Sequence, residues 1–370
     1  MIINLLCIKR RILATLLASL PIITYGITGK LYEYGKMTNS LVTQLCQDKY
    51  GYIWIASDFG LNKFDGYHFR GYYHISRDTT SIPHNLIRSL LCSKDGSMYV
   101  GTGKGFARYD YNTDKFHIYN FPSGVLPRVN SLTELPSGNI LVCTAGYGIY
   151  ILDKRSDKLR KEESFSKLSG NEYLAKFYIE NENTTWCHTN DNRLVCFKIK
   201  NDRAINIKTY KLDDTPVNIL NTIDRQPLFV MKTCIMRYDS RTDKIVDAGY
   251  ELPKDIFITS ACLRSNGNII ATSARTGIYE IKNGEKKAYK LDIYNGHYPM
   301  TGLIINSVME DKDNNVWLTI PHHGIYLGNM SQHQFLSLNF TVDGRLHNEG
   351  FLAITKEGGG GKRFLLRTLL

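Results

Sequence analysis

"DKYGYIWIASDFGLNKFDG", residues 48–66, decides the fold. Asp48 to Gly51 reads as a tight turn, and Ile53-Trp54-Ile55 as a short apolar strand. Ser57 to Gly60 makes a second turn, Leu61 to Phe64 a second strand, and Asp65-Gly66 a third turn. One such hairpin says little, but this one recurs. Copies stand near residues 41–73, 86–120, 129–163, 174–210, 217–250, 258–291 and 304–338, the fifth being degenerate. Trp54, Tyr99, Leu141, Trp186, Phe229, Ile270 and Trp317 mark equivalent places, which gives a period of about 44 residues. Each copy holds four strand-like runs, and Asp95-Gly96, Ser137-Gly138 and Asn266-Gly267 supply the positive φ that tight hairpins need. A four-stranded unit cannot bury both faces alone. Seven of them can pack face to face in a ring with short, protected edges. The expected fold is therefore all-β, a seven-bladed β-propeller, with a β-solenoid as the alternative. Trp54, Tyr99, Trp186 and Trp317 are expected to fill the space between blades; stacking on a sugar is the alternative for them.

The 370 residues are 43% apolar and 22% charged, which fits a soluble globular chain. The net charge is +11, but Lys and Arg are scattered among acids, so an ordinary solvated surface is favoured over a nucleic-acid footprint. Lys9, Arg10 and Arg11 precede an apolar run, Ile12 to Ile23, that is too short to span a bilayer and has the length of a signal-peptide core. Residues 1–26 are read as a signal peptide, or else an uncleaved anchor, and the chain as exported to the periplasm. Beyond Cys7, the seven remaining cysteines are odd in number and form no C-x-x-C pair, so neither a disulfide framework nor a zinc site is expected.

The full pattern is apolar-x-x-apolar, then D-x-x-G-x-apolar-W-apolar-G/A-T/S-x-x-G-L-x-x-F/Y-D. It resembles the two-component regulator propeller repeat, most strongly at 41–73, 86–120 and 304–328. That repeat fills the periplasmic sensor region of hybrid two-component proteins of the Bacteroides group. The resemblance covers about residues 25–357. It implies two propellers, a β-sandwich, a membrane helix, a histidine kinase, a receiver and a helix-turn-helix in a full-length inner-membrane receptor. It also implies sensing of oligosaccharides to control polysaccharide utilisation, and self-association through the full receptor. Residues 27–340 are read as the first propeller. Residues 341–370 are read as the broken start of a second, in which Phe351 to Ile354 match a first strand. After Gly358 to Gly361 the pattern is lost, and "KRFLLRTLL" shows no hairpin. A reading-frame change or natural degeneration of the gene would read so, and a genuine short basic tail is the alternative.

Antiparallel strands send successive turns to alternate faces. The T-x-x-G turns and the long links between blades share one face, which carries Asp58, Phe59, Lys104, Tyr147, Asn190, Asp191, Arg275, His322 and His323. Aromatic ring faces beside hydrogen-bonding groups suit a glycan, and loops on a rigid scaffold are where binding residues concentrate. No catalytic motif, cofactor or metal site is expected. "DKDNN" (311–315) imitates a calcium loop but lacks its glycine and its closing glutamate. His322 and His323, read as extended, would point to opposite faces. An exported propeller lyase or glycosidase and a protein-binding propeller are the competing readings, since fold does not decide function.

Overall fold

The computed structural model describes residues 26–33, 37–169, 174–181, 184–189, 191–222, 226–295, 298–300, 302–329, 340–342, 345–347, 351–356 and 364–368. The chain divides into two compact units, residues 26–330 and a second made of 1–25 with 331–370. Strand β1 (Gly26–Glu33) precedes the first repeat. The repeats then form antiparallel sheets whose strands lie side by side in chain order. The first sheet is β2 (Val42–Gln47), β3 (Ile53–Ser57), β4 (Leu61–Phe64) and β5 (Phe69–Tyr72). The second is β6 (Ile87–Cys92), β7 (Met98–Thr102), β8 (Phe106–Asp110) and β9 (Lys115–Ile118). The third is β10 (Val129–Glu134), β11 (Ile140–Thr144), β12 (Ile149–Asp153) and β13 (Lys158–Lys161), followed by a short helix α1 (Glu163–Ser169) that the sequence reading did not foresee. The fourth is β14 (Leu174–Asn181), β15 (Thr184–Thr189), β16 (Arg193–Lys200) and β17 (Arg203–Lys211). The fifth is β18 (Asn218–Asn221), β19 (Pro227–Val230), β20 (Ile235–Asp239) and β21 (Lys244–Asp247). The sixth copy supplies β22 (Ile258–Leu263), β23 (Ile269–Ser273), β24 (Gly277–Ile281) and β25 (Ala288–Asn295), with β26 (Tyr298–Met300) paired onto β25. The seventh supplies β27 (Ser307–Glu310), β28 (Asn315–Ile320) and β29 (Gly324–Asn329).

The first strands of consecutive copies meet in a cycle: β2 with β6, then β10, β14, β18, β22 and β27, and β27 again with β2. The apolar core is correspondingly split into layers between neighbouring sheets. Trp54 and Leu61 pack on Ile87, Leu90 and Met98 of the second sheet, and Trp317 and Ile325 pack on Ile53, Ile55 and Phe64 of the first. The seventh copy has three described strands of its own. Its fourth is β1, which pairs antiparallel with β29 from Thr28↔Asn329 to Glu33↔Gly324. The same strand pairs parallel with β25 from Gly26↔Asp292 to Gly29↔Asn295, so β1 merges the last two copies into one nine-stranded sheet. "GITGKLYE" carries no repeat signature, which is why the sequence pattern misses it.

Inside each sheet the second strand carries the marker residue, and Trp54, Tyr99, Leu141, Trp186, Ile270 and Trp317 are all at most 3% exposed. A buried indole N–H needs an acceptor. Trp54 donates to Asp48 at 2.8 Å, Trp186 to Glu180 at 2.9 Å and Trp317 to Asp311 at 2.7 Å, each acid lying six residues earlier, at or near the end of the first strand. Copies without Trp lack that acid: Ser93, Leu135 and Arg264 stand there, and their N–H groups close the same turn onto Ser97, Asn139 and Asn268. In the fifth copy the equivalence of Phe229 is corrected to Leu228. Met231 N–H bonds to the Cys234 carbonyl as Thr102 does to Gly105, and counting three residues back from those turn residues gives Leu228 and Tyr99. A one-residue slip turns a side chain to the other face, so Phe229 packs back onto Trp186 of the fourth sheet, with ring centroids 5.0 Å apart.

A second device joins neighbouring sheets at the turn between third and fourth strands. Asp114, Asp157 and Asp243 adopt left-handed φ values of 56°, 53° and 52°, which Asp tolerates better than most residues. Their carboxylates accept hydroxyls from the end of the preceding copy: Tyr72 at 2.6 Å, Tyr119 at 2.8 Å and Tyr210 at 2.7 Å. Asp114 also takes the Tyr109 hydroxyl and the charges of Lys63 and Arg70. Burial opposes the Asp114 charge, but these hydroxyls and cations outweigh it and hold the carboxyl below its ordinary range. Lys208, Tyr210 and Tyr238 hold Asp243 down at about 2. A carboxyl whose folded pKa is depressed stabilises the fold above its unfolded value and loses that contribution as pH falls through the folded one. The denaturation midpoint is therefore expected to fall steeply between about pH 4 and pH 2, and Asp114→Asn combined with Asp243→Asn to flatten that fall. An unchanged slope in urea titrations across this range would count against the clamp.

Seven cysteines, Cys46, Cys92, Cys143, Cys187, Cys196, Cys234 and Cys262, are free thiols, and burial pushes Cys46 and Cys262 up to about 12. In the second unit, β30 (Phe340–Val342) pairs with β31 (Arg345–His347), and β32 (Phe351–Lys356) with β33 (Phe364–Thr368). The last pairing corrects the reading of "KRFLLRTLL": Phe364 to Thr368 is rich in strand formers and runs antiparallel to the strand begun by Phe351. No helix among the described residues is long and apolar enough to cross a membrane. The N-terminal segment read as signal or anchor lies outside them.

Candidate functional site

Chain order through each sheet sends the second-to-third-strand turns to the face that also holds the links between copies. Backbone bonds stitch the two together. Asp58 N–H donates to Leu41 at 3.1 Å, Gly60 to Asn85 at 2.7 Å, Gly103 to Leu86 at 2.7 Å, Gly105 to Pro127 at 2.6 Å and Ala274 to Phe257 at 3.0 Å. The turns are thus held by the links rather than standing free. At the same end, β2, β6, β10 and β22 each carry a register shift that leaves one residue over: Thr43, Arg88, Asn130 and Thr259. Bulges of this kind re-aim a side chain.

This face concentrates exposed apolar side chains. Of twelve large exposed hydrophobics among the described residues, nine stand on its turns and links, including Phe59, Tyr73, Ile75, Tyr147, Phe257 and Ile304. Tyr50 and Tyr67 lie on turns of the opposite face, and Ile207 on β17. Clustered exposed apolar area marks a binding surface more often than scattered residues do.

The predicted candidates fall here in unequal settings. Phe59, 52% exposed, meets Tyr73, 43% exposed, with ring centroids 6.0 Å apart. Asp58 is 3.8 Å from Arg88, and its Oδ1 has no hydrogen-bond partner. Asp191 is engaged by Thr189 and by Arg193, whose Nε lies 2.6 Å away; desolvation opposes its charge, but these donors keep its carboxyl low. Arg275 lies 5.7 Å from the Phe257 ring centroid. Lys104 and Tyr147 are exposed on their own turns. His322 and His323 lie in a turn, His322 at φ 63°, so the expectation of an extended pair pointing to opposite faces is corrected. Asn190 lies outside the described residues. Among the described residues, Lys104, Tyr147, Arg275, His322 and His323 make no direct bond to one another, and no group of three or more metal-ligating side chains occurs.

Sequence reasoning missed Tyr73 and Arg88. Tyr73 opens the link after β5, and Arg88 reads as the outward residue of an inner strand; only the bulge and the turn opposite bring them beside Phe59 and Asp58.

A family model described as two component regulator propeller matches residues 36–59. No curated protein sequence matches the chain. Among solved structures, the extracellular domain of the BT3049 hybrid two-component system of B. thetaiotaomicron aligns at TM-score 0.67 and 18% identity, over 94% of this chain and 49% of that one. The extracellular domain of the BT4673 system of the same organism aligns at TM-score 0.62 and 20% identity, over 90% of this chain and 44% of that one. The chain thus spans about half the length of these domains. Virginiamycin B lyase of Staphylococcus aureus aligns at TM-score 0.60 and 16% identity, over 81% of this chain and 99% of that one. Residues 36–59 thus match one two component regulator propeller repeat, and the fold of the chain is similar to that of extracellular domains of hybrid two-component systems.

Proposed function

We propose that the chain is the ligand-binding part of a hybrid two-component sensor: a seven-bladed propeller, closed by β1, that works outside the cytoplasm by binding and not by catalysis. The observation that carries this is the repeat match at residues 36–59, on a fold shared along 94% of the chain with a sensor's extracellular domain. The ligand is an oligosaccharide, held on the turn-and-link face by exposed rings such as Phe59 and Tyr147 and by the polar groups of Asp58, Lys104, Asp191, Arg275, His322 and His323. Apolar sugar faces stack on aromatic rings, and sugar hydroxyls pair with such groups. The bound sugar biases a self-associated receptor only through its differential affinity for two arrangements. The chain itself contacts no nucleic acid.

The lyase alignment, which spans nearly the whole of that enzyme, favours a second reading as a propeller lyase. Calorimetry of the purified chain against an oligosaccharide panel, followed by product analysis, separates the two. Saturable binding without turnover is expected. Phe59→Ala is expected to weaken binding about tenfold, the loss of one stacking platform, with an unchanged melting temperature because the ring is exposed. Turnover of any panel member would replace the sensor by the lyase.

A further inference from the structure

The first two copies hold a compact arrangement that goes beyond a general sugar-binding face. Phe59 and Tyr73 form an exposed aromatic pair. The residue before Phe59, Asp58, stands 3.8 Å from Arg88, the extra residue of the bulge that opens β6. Both side chains are partly open, Arg88 at 38% and Asp58 at 40% exposure. The pair is incomplete: 3.8 Å is longer than a hydrogen bond, and Oδ1 of Asp58 has no hydrogen-bond partner. The guanidinium therefore keeps its donor fork unspent. A planar fork of that kind matches a carboxylate through two parallel bonds. Lys104, on the adjacent copy's turn, adds an exposed cation with no carboxylate within ion-pair distance among the described residues.

We propose that this is the recognition subsite for a uronic acid residue, making the ligand an acidic oligosaccharide. The inference rests on the sugar-sensing reading above. The pyranose ring lies on Phe59 and Tyr73, and its carboxylate enters the fork of Arg88, which the buried Oδ1 of Asp58 does not engage in a hydrogen bond. The unspent Arg88 fork, with the exposed Lys104 on a turn held by the same link at Asn85-Leu86 as the Phe59 turn, favours an anionic ligand over its neutral counterpart.

The test uses matched pairs: galacturonate, glucuronate and mannuronate oligomers, each beside its carboxyl-reduced neutral form, titrated into the purified chain by calorimetry. At least one acidic member is expected to bind, and carboxyl reduction to weaken it at least tenfold. Arg88→Gln is expected to bring acidic and neutral forms within about twofold of each other, while Phe59→Ala weakens both alike. Arg88 is exposed, so the variant's melting temperature checks that it folds; Lys104→Gln, also exposed, gives a second variant expected to narrow the same gap. Binding that survives carboxyl reduction, or a set of binders that is wholly neutral, overturns the uronate subsite and leaves sugar sensing standing. Binding by no saccharide, acidic or neutral, overturns both.

Discussion

Gly29→Val is expected to prevent β1 from docking and to lower the melting temperature more than any other single surface-strand change. A Cβ at position 29 would sit 2.0 Å from the Leu327 carbonyl oxygen and 2.6 Å from the Gly328 Cα. Both are backbone atoms of the paired strand, so no rotamer change relieves the clash. What is lost is the whole strand, not one contact. β1 supplies the seventh copy's fourth strand, buries Ile27 completely and ties β25 to β29. The Tyr326 hydroxyl lies 3.0 Å from the Ile27 carbonyl and 2.7 Å from that of Tyr294, so it too is tied to this junction. Destabilisation of about 4 kcal/mol or more is expected, the range of severe core disruptions. Tyr326→Phe, which removes one hydroxyl and keeps the strand, should cost about 1 kcal/mol. Urea unfolding and limited proteolysis around residues 26–36 read both. A Gly29→Val protein as stable and protease-resistant as the parent would show that β1 does not hold the ring closed.

The repeat was legible because its chemistry is periodic. Turn glycines at positive φ, such as Gly51 and Gly96 at 92° and 83°, and apolar second strands recur wherever a sheet must turn and bury itself. Three things were not legible, each for a physical reason. β1 has no partner of its own in sequence, so nothing local marks it. The fifth copy has Cys234 in place of the glycine that closes the turn after the second strand in the first two copies, so its register had to be read from the Met231–Cys234 bond, and Phe229 changed sides. The Asp-Lys pairs at 114–115, 157–158 and 243–244 recur as plainly as the glycines, yet their meaning depends on a tyrosine from the preceding copy. The candidate face was legible as a set of turns, because alternation alone assigns it. Which members meet was not: Tyr73 and Arg88 reach Phe59 and Asp58 through the link and the bulge.

Asp48→Ala should be the most costly single side-chain truncation among the first turns. Asp48 is fully buried, and its Oδ2 takes the Trp54 indole N–H at 2.8 Å and the Tyr111 hydroxyl of the next sheet at 2.8 Å. Its Oδ1 closes the turn onto the N–H groups of Tyr50 and Tyr52 at 2.9 and 3.0 Å. Removing the carboxylate leaves two side-chain donors stranded. At about 1–3 kcal/mol for each unsatisfied buried group, the cost is roughly 2–6 kcal/mol. Asp311→Ala, which strands the Trp317 indole and releases an amide of Asn315 but no tyrosine, should cost less. A double-mutant cycle isolates the cause: in a Trp54→Phe background the indole N–H is absent, and Asp48→Ala should become cheaper by about 1–2 kcal/mol. If Asp48→Ala costs the same in both backgrounds, the acid serves the turn and the Tyr111 hydroxyl and not the indole. The six-residue spacing of acid and Trp, present at Trp54, Trp186 and Trp317, would then have a cause other than pairing the indole.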